Sequence, residues 1–123
     1  MYEIEITHLW FHTELSLVAI AEQLDLRDRF EDAENHWMWL EGTWGSERLN
    51  LGRTHVRPPG EVETVLHLRH SPGEPRREIN GLELVELAEE LLTLGISPVC
   101  FGRRRHVRGE RFDMIELGRF ARG

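Results

Sequence analysis

Apolar and polar positions alternate from the start of the chain: Tyr2, Ile4 and Ile6 against Glu3, Glu5 and Thr7, the period of a half-buried strand, continuing to Trp10. The period then lengthens. Leu17, Ile20, Ala21 and Leu24 recur at spacings of three and four, which predicts a helix capped by Thr13 with Glu14 in its first turn. Beyond it, Asp25, Arg27, Asp28, Arg29, Glu31, Asp32 and Glu34 surround a single aromatic, Phe30, and read as the helix end and a solvated loop.

Alternation returns at His36, with Trp37 and Trp39 on one side of a strand and His36, Met38 and Leu40 on the other, broken by Gly42 and Gly45. A strand over 48–56 ends at the turn Arg57-Pro58-Pro59-Gly60, and a third carries Val62, Thr64, Leu66 and Leu68 on one face. After Ser71-Pro72-Gly73-Glu74-Pro75, Asn80 and Glu83 stand in the capping-box positions of a second helix. Its buried stripe is Leu84, Leu87, Ala88, Leu91 and Leu92, and Gly95 supplies its stop. Strands over 96–102 and 112–117 follow, joined by an arginine segment, the first beginning at Pro98 or lying on an edge. The order β-α-β-β-β-α-β-β predicts one α+β domain over 1–123, a mainly antiparallel sheet with two helices on one face.

Charge changes this picture. Every basic residue is an arginine, and the net of −7 divides into −11 over residues 1–95 and +4 over 96–123. Such asymmetry bears on partners rather than on fold. With 40% hydrophobic and 30% charged residues the chain is of globular composition, and its one cysteine, Cys100, excludes an internal disulfide framework and suits a reducing compartment. The start has no leader-like pattern and no apolar run is long enough to span a bilayer, so the expectation is the cytoplasm with no membrane partner.

No catalytic, cofactor or metal motif emerges. His8 and His12 on a strand would be separated by roughly 13 Å. His67 and His70, three apart, would point to opposite faces, whereas a strand chelate needs a spacing of two. None of Ser16, Ser46, Ser71 and Ser97 lies in a nucleophile elbow, and Cys100 between Val99 and Phe101 reads as a small buried hydrophobe with a raised thiol pKa. An enzyme or ligand-binding alternative rests on Arg53, His55 and His67 converging in a pocket. The cluster of Arg103, Arg104, Arg105, His106, Arg108 and Arg111 has a phosphate-binding reading, opposed by the acidic balance of the chain. The reading without nucleic acid is that these arginines cover a hairpin and pair with glutamates of the second helix.

Four tryptophans remain. If Met38 and Leu40 face the helices, Trp37 and Trp39 lie on the other sheet surface, where apolar anchors beside an acidic rim have the anatomy of a protein interface. The partner-binding candidates are therefore Asp25, Asp28, Glu31, Asp32 and Glu34, Trp37 and Trp39, and Glu86 and Glu90 on the outer face of the second helix. A homodimer through the tryptophan strand is the structural alternative. Leu49-Asn50-Leu51-Gly52-Arg53-Thr54-His55, followed by Pro58 and Glu61-Val62-Glu63-Thr64, resembles a pattern in small acidic bacterial α+β proteins, among them immunity proteins of contact-dependent growth inhibition and other polymorphic toxin systems. The resemblance implies a non-enzymatic cytoplasmic protein that binds and neutralises a cognate toxin domain. It assigns no interface residues.

Overall fold

The Asn80 side chain accepts from the Glu83 backbone N–H at 2.9 Å while the Glu83 carboxylate accepts from the Asn80 N–H at 3.1 Å, so the predicted capping box starts the second helix. In the structure, a computed structural model describing residues 6–34, 37–54, 63–69, 78–108 and 111–122, this is α2, Gly81–Thr93. Gly95 follows at φ +85°, the left-handed conformation that its lack of a side chain permits. The first helix, α1, runs Leu17–Gln23 and is capped by Ser16, whose hydroxyl accepts from the Ala19 N–H, rather than by Thr13. Thr13 accepts from the Leu15 N–H one turn earlier.

Seven strands, β1 His8–Phe11, β2 Arg27–Glu34, β3 Trp37–Trp44, β4 Glu47–Thr54, β5 Thr64–Leu68, β6 Val99–Arg108 and β7 Arg111–Phe120, pair antiparallel in the order β2-β3-β4-β5-β1-β6-β7. The α+β class and the expected succession of elements hold, with one strand added. That strand is β2, the charged stretch expected to be a loop. Its side chains are all exposed, so no apolar period announces it, and the ladder to β3 supplies what the side chains do not. The last two strands are also longer than expected, because Arg103 to Arg105 lie within β6 rather than in a connection. The residues Tyr2 to Ile4, His36, His55, Val62 and His70, and the breaks at 57–60 and 71–75, lie outside the described residues, as do the side chains of His106, Arg108 and Arg111.

One face of the sheet is dry. Leu9, Leu66, Leu51 and Leu40 form a row across four strands, each in register with the next, and pack with Leu49, Leu68 and Val99 against Ile20, Ala21, Leu87, Ala88 and Leu91 of the helices. Each such side chain contributes about 1.5–3 kcal/mol on leaving water. Strand β3 runs through Gly42 without breaking, paired there with Leu49, and the missing side chain leaves room for Leu26, whose Cβ would stand 2.7 Å from a Cβ at this position.

The β6–β7 hairpin bends at a bulge between Phe101 and Gly102, where Phe101 pairs with Gly118 but Gly102 pairs with Glu116. A Cβ on Gly102 would stand 1.9 Å from the Ile115 carbonyl oxygen, and one on Gly118 would stand 2.4 Å from the Phe101 ring. Beyond the bulge, among the described strands, β6 has only β7 beside it, and the two form an arm running past the His8 end of β1.

Candidate functional site

The opposite sheet face is left uncovered by the helices. Three transverse rows cross it: Glu34–Trp37–Thr54, Asp32–Trp39–Gly52–Val65–Trp10–Cys100, and Phe30–Glu41–Asn50–His67, with the pair His8–Gly102 on the strands beyond. Directly paired antiparallel residues share a face, so Trp37 and Trp39 stand on the open side while Leu40, 1% exposed, sits in the core. The expected division of β3 is therefore what the structure has.

At the β2 edge, Asp32 is the register partner of Trp39 and Glu34 of Trp37, and Phe30, 57% exposed, stands in the next row. Asp32, Glu34 and the two indoles thus form one continuous surface. Glu31 pairs with Leu40 and belongs to the helix-side face, though exposed. Asp25 and Asp28 occupy positive-φ positions, 54° and 50°, at the entry to β2 and at its bulge. Glu86 and Glu90 lie on α2, across the sheet from the tryptophans, with Glu90 accepting from Gln23 Nε2 at 2.6 Å and so tying α2 to α1.

β2 is an edge that resists being extended. Its charges, the Asp28 bulge and an Ala33 N–H that donates to Asp32 Oδ1 at 2.8 Å all blunt it as a template for another strand. It is held in place from two strands away. Arg48 of β4 donates to the Asp28 carbonyl at 2.9 Å and the Thr43 hydroxyl at 2.8 Å, and its Nε and Nη2 both reach Glu41 Oε2, at 3.2 and 2.6 Å. Arg69 of the segment after β5 donates to the other Glu41 oxygen. Burial by itself would raise the Glu41 carboxyl pKa, but the hydrogen bonds from Arg48 and Arg69, with their charges, hold it below its ordinary value.

The centre of the open face is a cleft of about 250 Å³. Its floor is Asn50, Gly52, Val65 and His67, and Trp37 and Trp39 wall one side. Trp37 reaches over Gly52, its ring carbons 3.7 Å from where a Cβ would be. Arg104 and Met114 of the β6–β7 arm close the other side. Strands β3 and β6 are four positions apart, about 19 Å on a flat sheet, so a cleft lined by both requires the sheet to curl toward its open face. His8 on β1 and His67 on the neighbouring β5 meet here with ring centroids 5.0 Å apart. No sequence spacing announces this pair, because the residues are 59 positions apart and joined only by strand pairing.

The alternative site at Arg53, His55 and His67 does not assemble. Arg53 lies on the helix-side face, donating to the Thr64 hydroxyl at 3.0 Å and to the Leu15 carbonyl at 2.6 Å, whereas His67 is in the open cleft; His55 is outside the described residues. An error of one residue in parity separates the two faces of a strand, and Arg53 and His67 sit on different strands whose register the sequence does not display. His12 meets Glu63 at 3.3 Å instead of sharing a ligand with His8. Among the described residues, no group of three or more His, Cys, Asp or Glu side chains could hold a metal ion. Burial pushes the Cys100 thiol pKa up and Glu116 adds to the rise, the environment of a small buried hydrophobe. Arg105 of the arginine segment pairs within the hairpin with Asp113 at 3.5 Å, and Arg119, further along β7, pairs with Glu116 at 2.7 Å. Among the described residues, no helix is long and apolar enough to cross a membrane.

Comparison with protein-family models, with curated proteins and with solved structures yields no match to this chain, so what the face can do is argued from its own geometry.

Proposed function

We propose that this chain is a protein-binding domain whose contact surface is the β2 side of the open sheet face, and that its partner is a basic protein domain. The carrying observation is the register of β2 on β3, which sets Asp32 beside Trp39 and Glu34 beside Trp37 on a face the helices leave bare. Aromatic side chains supply anchoring area at low entropic cost, and the flanking carboxylates steer a cation-rich partner and penalise an acidic one. In the specific form implied by the resemblance of residues 49–64, the protein is a cytoplasmic immunity protein and the partner its cognate toxin domain. Toxin domains that act on nucleic acid are basic, and carboxylates on a rim occupy the place of phosphates.

The test is binding to the toxin-domain product of the adjacent upstream gene, followed by surface plasmon resonance at several salt concentrations. Association should slow as salt rises, and the double reversal Asp32→Arg with Glu34→Arg should reduce the on-rate by about tenfold or more. Failure to bind that product, or binding indifferent to the double reversal, rejects the reading. Light scattering distinguishes the remaining case, a homodimer that covers the tryptophans itself.

A further inference from the structure

The cleft has a cationic and hydrogen-bonding end that an interface with a basic protein does not explain. We propose that it is also a small-molecule site for a planar heteroaromatic anion of mononucleotide size, with the ring held against Trp37 and Trp39 and the anionic group at Arg104 and the His8–His67 pair. The site shares the two indoles with the partner surface and goes beyond it to Asn50, His8, His67 and Arg104.

Four observations converge on that ligand class. The volume, about 250 Å³, is on the scale of a small-molecule site rather than of a chain segment. Trp37 overlies the bare backbone of Gly52, giving the floor an aromatic surface suited to a flat π system. Asn50, with one donor and one acceptor group, can pair with the edge of a heterocycle, which a purely apolar cleft could not discriminate. Arg104 is brought over the face by the bend at Gly102, and its planar fork matches a phosphate or carboxylate. A longer nucleic-acid strand is disfavoured because its path toward β2 meets Asp32 and Glu34, which repel successive phosphates.

Tryptophan fluorescence titrated with the four ribonucleoside monophosphates tests the site, with the nucleosides, inorganic phosphate and short single-stranded RNA as further arms. At least one monophosphate should quench saturably and bind about tenfold or more tightly than its nucleoside, reflecting the loss of one charged contact. Arg104→Gln, a change in the exposed arm, should weaken that binding by about tenfold while leaving the thermal midpoint unchanged. Gly52→Val should abolish it by filling the floor. The proposal is overturned if no monophosphate saturates, if nucleoside and monophosphate bind alike, if phosphate competes without any aromatic requirement, or if only the RNA strand binds. Retained toxin binding by Arg104→Gln would separate a failure here from a failure of the partner surface.

Discussion

Leu51 and Asn50 are neighbours on β4, yet Leu51 is fully buried beneath the helices while Asn50 lines the open cleft. The same alternation divides Leu40 from Trp39 and Leu66 from His67. On the covered side, apolar rows meet apolar helices, and stability is set by volume. On the open side, Val65, Cys100 and Thr54 are buried, but the side chains that line the cleft are chiefly aromatic, imidazole, amide and charged and partly wet, and these can change without leaving a void. A single sheet thus separates folding from recognition by the parity of a residue.

The difference can be broken most severely at the centre of the covered face. Leu51→Ala should cost about 3 kcal/mol in urea unfolding, by lost burial and a cavity, whereas Asn50→Ala one residue away should stay within about 0.5 kcal/mol. Similar losses at both positions would mean that the open face is as closely packed as the covered one. Next in size is Arg48→Ala, expected to cost about 2 kcal/mol because several charge-assisted bonds are lost together. Its distinguishing readout is hydrogen exchange: β2 amides should lose protection before those of β4.

The same clasp gives the open face an acid dependence. Glu41 has a folded-state pKa below its ordinary 4.5, so its contribution is present above that value and is lost as pH falls through the folded one. Glu41→Gln should therefore flatten the acid side of the stability profile below pH 4.5 while the Leu51 variant retains its slope. Smaller than the losses at Leu51 and Arg48 is Asn80→Ala, about 1 kcal/mol by circular dichroism melts, acting through the cap of α2 and so on the covered face alone. It should leave ligand and partner binding unchanged.

How far the sequence speaks follows from these same faces. α2 was legible from Asn80 to Gly95 because its capping box, apolar stripe and terminal glycine agree. The placement of Trp37 and Trp39 opposite Leu40 was legible because one strand fixes its own parity. β2 was not, since Arg27 to Glu34 bury nothing and owe their extended form to β3 and to Arg48. The cleft was illegible for a related reason. His8, Asn50, His67 and Arg104 come from four strands, and their meeting depends on sheet order and curl. Local pattern specifies what a residue faces away from more readily than whom it meets.

An absent methyl group determines where the arm aims. With Gly102 pressed against the Ile115 carbonyl, alanine there would have to shift the backbone of the hairpin, carrying Arg104 with it, whereas alanine at Gly118 would meet the Phe101 ring, which can turn aside. Ligand preference could thus be retuned from outside the recognition surface, by hinge geometry, with every contacting side chain chemically intact.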